Sequence, residues 1–173
     1  MPELATIGVY GFSAESFLEA LHEEDVRLVI DVRQRRGVRG SQYAWANARR
    51  LIAALAEVGV AYRHRRDLAP TTELRELQYR EDARQGVGKR SRVELAAAYR
   101  ERYLAEILDP AELETLVAEL PAAGAGALLC VERDPEACHR SLIAERLEAE
   151  HGLPVRHIRP RRRVSPGPGR AGE

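Results

Sequence analysis

The stretch that decides the fold runs Leu128-Leu129-Cys130-Val131-Glu132-Arg133-Asp134-Pro135-Glu136-Ala137-Cys138-His139-Arg140-Ser141. It opens as a strand. Ala127, Leu128 and Leu129 form a short apolar run behind Gly124 and Gly126, the pattern of a strand buried on both faces. Polarity changes abruptly at Cys130, Glu132 and Arg133. Asp134-Pro135-Glu136 then signals a helix start: a capping Asp, a Pro at the first helical position and an acid in the first turn. That helix is expected to reach about Glu150, with Ile143, Ala144 and Leu147 facing the sheet and Cys138, His139 and Arg140 near its beginning. Helical side chains tilt toward the N-terminus, which aims His139 and Arg140 back at Cys130 and Glu132 on one strand face. Two thiols, an imidazole, a guanidinium and a carboxylate should meet where a strand hands over to a helix.

Working outward, the same alternation recurs. Ala5–Tyr10 reads as a first strand, Gly11 as a turn, and Ser13 as the cap of a helix through Glu24. Gly8-Val9-Tyr10-Gly11 with Asp31 about twenty residues later partly matches a dinucleotide fingerprint, but the full glycine set is absent and a plain turn is the reading. Leu28–Val32 is a second strand, broken by Asp31, which shares a face with Arg33. A buried acid needs a partner, so either the two pair or both line a site. Arg33, Arg35, Arg36 and Arg39 crowd a glycine-containing loop suited to anions or to plain solvation. A helix over Ala44–Val58 follows, with Trp45 as its packing staple, then a strand over Val60–His64. Asp67–Arg90 is irregular, with one short helix over Thr72–Arg84; a long segment between βα units is often a lid or substrate loop. Ser91 is expected to cap a helix through Glu106, Asp109-Pro110 to start another reaching Leu120, and Val155–Ile158 to be the last strand.

These elements imply an α/β fold: a three-layer sandwich around a mostly parallel five-stranded sheet, Rossmann-like, in the order 3-2-1-4-5. Ligands in such sheets bind beyond the carboxyl ends of the strands, so Tyr10, Gly11, Asp31, Arg33, Cys130 and Glu132 should surround one crevice. Residues 1–158 form the expected single domain. Arg159–Glu173, with four arginines in Arg159–Arg163 and then repeated Pro and Gly, reads as a basic disordered tail.

Composition narrows the class. The chain has 173 residues, with 27 basic and 27 acidic side chains, so it is not an electrostatic glue for nucleic acid as a whole. Lys89 is the only lysine, and the other basic residues are arginines suited to bidentate contacts. Two cysteines make no disulfide framework. With no signal peptide and no apolar stretch of about 20 residues, a cytoplasmic protein with reduced thiols and no membrane contact is expected.

Several marks together resemble the domain of unknown function 488 family. They are Thr6-Ile7-Gly8 followed by Ser13, Glu15 and Phe17; Asp31-Val32-Arg33; and Leu129-Cys130-Val131-Glu132 with Asp134-Pro135, Cys138-His139-Arg140 and Ser141. The likeness covers about Thr6 to Ile158. Gln34-Arg35-Arg36-Gly37 stands where relatives often have a proline-containing loop, and Leu68-Ala69-Pro70 where they often have Leu-Gly-Gly. The resemblance implies an α/β fold and carries no established activity.

Three chemistries fit the residues. The first is an enzyme for a phosphate-bearing or nucleotide-like substrate. Arg33 and Arg140 would clamp the anion, aided by Ser141, Tyr10, Gly11 and Tyr43, while Glu132 or Asp31 serves as acid or base. Cys130 or Cys138 would be the nucleophile, with His139 favouring thiolate. The second is a nucleic-acid module built on the arginine loop, the tail, and stacking by Trp45 and Tyr43. The third is a metal site of Cys130, Cys138 and His139, with Glu132 or Asp31 as fourth ligand. This is disfavoured because adjacent helical residues point about 100° apart. Cofactor and oligomeric state are left open.

Overall fold

The computed structural model describes residues 1–161. A single five-stranded parallel sheet lies at its centre, in the order β3-β2-β4-β1-β5. The strands are β1 (Glu3–Gly8), β2 (Val26–Asp31), β3 (Ala61–His64), β4 (Ala125–Cys130) and β5 (Val155–Ile158). The helices are α1 (Ala14–Glu23), α2 (Ala48–Glu57), α3 (Thr72–Gln85), α4 (Ala97–Tyr103), α5 (Leu113–Glu119) and α6 (His139–His151). The three-layer α/β reading is borne out, with β1 and β4 exchanged relative to the expected order. β4 occupies the middle, pairing with β1 from Glu3↔Ala125 to Gly8↔Cys130 and with β2 on its other edge. This suits its sequence. All six of its residues are buried, so both faces are covered, and Gly126 lets Leu120 approach where a Cβ would collide with it. β1 is buried from Leu4 through Gly8 for the same reason.

Local chemistry sets several boundaries. Ser13 caps α1 by accepting from Ser16 N, and Ser16 Oγ accepts from Ser13 N, a reciprocal box that satisfies two orphan donors. Thr71 caps α3 by accepting from Leu74 N, and Gly86 ends α3 in a left-handed conformation. Phe12, Phe17 and Trp45 stack in sequence, with Phe17 and Trp45 ring centroids 4.9 Å apart, so the tryptophan is the staple expected of it.

Four helix boundaries depart from expectation. The helix expected from Ala44 begins at Ala48, behind a separate 3₁₀ turn over Ser41–Ala46. Ser91 does not cap a helix: its hydroxyl closes a turn with Gly88, and α4 begins only at Ala97. Beyond Tyr103 the helix passes into one π-type turn, Leu104–Leu108, and α5 begins at Leu113, after Asp109-Pro110. Most consequentially, Pro135–Ala137 is a short 3₁₀ turn, Cys138 is extended (φ −138°, ψ 145°), and α6 starts at His139. Asp134 makes no capping bond and pairs instead with Arg159. Arg159 also reaches Glu136, and Arg161 reaches Glu23, so the first basic residues of the expected tail are tied to the domain. The remainder, 162–173, lies outside the described residues. Among the described residues no helix is long and apolar enough to cross a membrane.

Candidate functional site

The site forms where β4 ends. Val131 O accepts from both Val9 N (3.0 Å) and Tyr10 N (2.9 Å), and Leu129 O accepts from Val32 N (3.1 Å). The segment after Cys130 is thereby held between the ends of β1 and β2. Gly8 faces it so closely that a Cβ there would overlap the Glu132 carbonyl. Arg140 fixes the same segment from the helix side. It is fully buried and donates to Glu132 O (2.6 Å), Arg133 O (3.1 Å) and Thr6 Oγ1 (3.3 Å). Ser141 Oγ donates to Cys138 O (2.8 Å), which stabilises the extended residue ahead of α6.

Cys130, Glu132, Cys138 and His139 do come together. His139 Nδ1 lies 3.7 Å from Cys130 Sγ and 3.8 Å from Cys138 Sγ, and Cys130 Sγ donates toward Glu132 Oε2 at 3.5 Å. His139 Nε2 is 2.9 Å from Val32 O. A carbonyl only accepts, so Nε2 carries a hydrogen and Nδ1 is the atom turned to the sulfurs. The imidazole is braced by the Tyr103 ring, 5.4 Å away between centroids. The two cysteines are unpaired as thiols and both are buried.

Charge is unevenly shared in this cluster. Burial pushes the Cys130 thiol well up, and Cys138 and Glu132 add to that. Burial also acts against ionising Cys138, but hydrogen bonding from Cys130, the positive field of Arg140 and the neighbouring His139 outweigh it and hold this thiol well below the ordinary range. Burial pulls the His139 imidazole down, yet Cys138 and the Val32 carbonyl hold it above its ordinary value. Of the two thiols, the arrangement favours ionisation of Cys138 over Cys130. Glu132 is pushed up by burial and by Cys138, against the pull of Lys89 and Arg92.

The cluster forms the floor of a small pocket of about 50 Å³. Residues from the irregular segment between β3 and β4 supply much of its wall, and sequence reading assigned none of them a role. Arg92 donates to both carboxylate oxygens of Asp82, to Glu132 Oε1 (3.4 Å) and to Ala137 O (3.3 Å). Gln78 bridges Asp82 Oδ1 (2.9 Å) and Ala96 N (2.9 Å). Lys89 Nζ stands 3.8 Å from Glu132 Oε1, and Glu132 keeps its ammonium charged against the cost of burial. Arg35 and Arg75 complete a cationic wall, Arg75 being held by Gln34 and Tyr79. One signal was present: Leu74, Gln78 and Asp82, the buried residues of α3, fall at i, i+4 and i+8.

The other expected site residues are placed elsewhere. Asp31 is fully buried and accepts from Arg33 N, Nε and Nη2 (3.1, 2.9 and 2.7 Å) and from Tyr62 OH (2.6 Å). Arg33 gives its remaining reach to Ala46 O (2.9 Å). Asp31 and Arg33 therefore pair with each other, the structural one of the two roles open to them. Arg33 and Arg140 do not form one clamp: each guanidinium is engaged with protein groups, one beside β3 and the other behind the Glu132 carbonyl. Ser141 likewise faces a carbonyl. Tyr10 lines a neighbouring groove, with Tyr43 packed against its ring, while Gly11 lines a separate groove beside α1. The two rings lie 5.1 Å apart, Tyr43 OH accepts from Gly11 N, and the Arg90 guanidinium stands 5.2 and 5.3 Å from the ring centroids.

The family profile described as Domain of unknown function DUF488 matches residues 13–147. The chain belongs to the DUF488 family. Comparison with curated proteins and with solved structures gave no match. The DUF488 match spans α1 through most of α6 and so takes in Asp31, Lys89, Arg92 and the whole Cys130–His139 cluster. The metal alternative also gains ground within this DUF488 fold. The objection to it assumed that Cys138 is helical, whereas its extended backbone turns its sulfur toward the same point as His139 Nδ1.

Proposed function

We propose that this protein is an enzyme acting on a phosphate-bearing or nucleotide-like anion in the pocket beyond the strand carboxyl ends. One observation carries the reading: a buried cluster of two sulfurs, an imidazole and a carboxylate floors a pocket whose wall bears Arg35, Arg75 and Lys89. Cations at the mouth of a partly desolvated pocket attract an anion and hold it over reactive groups. Lys89 and Arg75 take the role first expected of Arg33 and Arg140: both line the pocket, while Arg33 is 2% exposed and held by Asp31 and Ala46 O, and Arg140 is fully buried behind the Glu132 carbonyl. Arg92 acts behind them by fixing Glu132 and the 3₁₀ turn. The reactive groups are Cys130, Cys138, His139 and Glu132.

The nucleic-acid reading keeps one supporting observation. A groove lined by Tyr10, Arg39 and Arg90 runs beside the pocket and shares Arg35, Arg75, Tyr79 and Lys89 with it. An extended anion could continue from one into the other, with Tyr10 as a stacking surface.

The test is a melting-temperature screen of inorganic phosphate, pyrophosphate, adenosine monophosphate, ribose 5-phosphate and a short oligonucleotide, in wild type and Lys89→Met. A ligand at a hundred times its Kd stabilises by about 2.7 kcal/mol. The reading requires a small phosphate-bearing ligand whose shift falls by about half in Lys89→Met, as a tenfold loss of affinity demands. Shifts undiminished in Lys89→Met, or that arise with the oligonucleotide alone and fade steeply with salt, would replace it with the nucleic-acid reading.

A further inference from the structure

Packing alone does not account for the cluster on the pocket floor. Both cysteines pack with the hydrophobic core, yet their sulfurs also converge on one ring nitrogen, which packing does not require. Cys130 Sγ, Cys138 Sγ and His139 Nδ1 all lie within 4.8 Å of one another. The two sulfur–nitrogen separations are 3.7 and 3.8 Å. They match the edges of a coordination tetrahedron. With metal–sulfur bonds near 2.3 Å and metal–nitrogen bonds of about 2.0–2.1 Å, ligand atoms stand roughly 3.6 Å apart. We propose that Cys130, Cys138 and His139 bind one divalent transition-metal ion of the zinc class, leaving a fourth position turned toward the pocket.

The surroundings support this. His139 Nε2–H donates to the Val32 carbonyl at 2.9 Å, the outer bond that metal-binding histidines commonly make, and it directs the Nδ1 lone pair to the ion. Cys138 and His139 are adjacent in sequence yet able to share an ion because Cys138 is extended and His139 opens the helix. Two soft sulfurs with one imidazole select zinc over magnesium or calcium, which take oxygen ligands. Three protein ligands leave one position, the arrangement of a catalytic ion with an exchangeable water or substrate oxygen. Glu132 stands at that side: Oε2 lies 3.5 Å from Cys130 Sγ, while Oε1 faces Lys89 and Arg92. It is placed to accept a hydrogen bond from a water in the fourth position. Occupation of that position by a phosphate oxygen rests on the function proposed above; the ion site does not.

The experiment uses the full chain, stripped of metal under reducing conditions and titrated with Co²⁺ and then Zn²⁺, without substrate. One equivalent of Co²⁺ should bind, with intense sulfur-to-cobalt charge-transfer absorption and the visible bands of a tetrahedral ion, and Zn²⁺ should displace it. Bound Zn²⁺ should protect both cysteines from alkylation. Cys138→Ser should weaken Co²⁺ binding roughly a hundredfold or more, the upper end of the loss caused by outer-shell changes. Glu132→Gln should retain it. Absence of charge-transfer absorption in the wild type overturns the proposal, as does full affinity in Cys138→Ser. The wild-type spectrum decides the matter if that variant does not fold. Phosphate binding is measured separately on the same samples. A loaded ion with no phosphate affinity would refute only the substrate reading, and phosphate affinity with no ion would refute only this one.

Discussion

Replacing Arg33 with methionine should destabilise the fold severely while leaving the pocket's affinity for anions intact. The structure supplies the magnitude. Asp31 is fully buried and Arg33 is 2% exposed. Two of the four hydrogen bonds to the Asp31 carboxylate come from the Arg33 guanidinium, at 2.9 and 2.7 Å. Methionine keeps most of the volume but removes both of them and orphans Ala46 O, so a buried carboxylate remains with only a backbone N–H and Tyr62. Breaking a buried pair from one side costs about 3–5 kcal/mol. For a chain of this size each kcal/mol lowers the melting temperature by about 2–4 °C, so a fall of roughly 6–20 °C is expected. The double variant Asp31→Leu with Arg33→Met should recover part of the loss, because it leaves no orphan charge. Urea unfolding followed by circular dichroism gives the free energies, and titration of pyrophosphate below the melting range gives the affinity. A loss under about 1 kcal/mol together with weakened pyrophosphate binding would refute this reasoning and return Arg33 to the role of an anion clamp.

Gly8→Ala should prevent stable folding, since its Cβ would collide with the Glu132 carbonyl and approach Arg140 Nη1 to 3.2 Å; a melting temperature within a few degrees of wild type would contradict this. Tyr62 should titrate near 12, pushed up first by its burial and then by its bond to Asp31. Because the folded value lies above the ordinary 10, the bond's stabilisation is complete below about pH 10 and is lost as pH rises toward 12. Tyr62→Phe should cost roughly 1.5–3 kcal/mol at neutral pH and abolish that alkaline loss, so parallel stability curves for the two proteins would contradict it.

The parts of this molecule that were legible in the sequence are those set by neighbours along the chain. Val155–Ile158 forms its strand within the expected limits, Ser13 caps α1, and Gly59 and Gly152 close helices in the left-handed region. What depends on distant partners was not legible. The exchange of β1 and β4 is a choice between two buried strands that are both compatible with parallel pairing, although β4 is the more apolar. Arg33 and Arg140 look like clamps in a list of charges, and only the positions of Ala46 O, Glu132 O and Arg133 O show that they serve backbone. Asp134-Pro135-Glu136 carries real helix-start chemistry, but it starts a 3₁₀ turn. The three residues of that turn give Cys138 the extended backbone on which the sulfur–imidazole geometry depends. Gln78 and Asp82 share the i, i+4, i+8 face that starts at Leu74, but that face is mostly polar, and Lys89 and Arg92 lie in a loop where no periodicity marks them.

The account stands on an anion occupying the pocket above Cys138 and His139. Backbone amide shifts in a titration of inorganic phosphate into isotope-labelled protein test this most directly. The largest changes should fall on Lys89, Arg75, Cys138 and His139, saturate with one binding constant, and shrink about tenfold in affinity for Lys89→Met, a difference of about 1.4 kcal/mol. Changes confined to Tyr10, Arg39 and Arg90, or absent at Cys138 and His139 when phosphate is saturating, would contradict it.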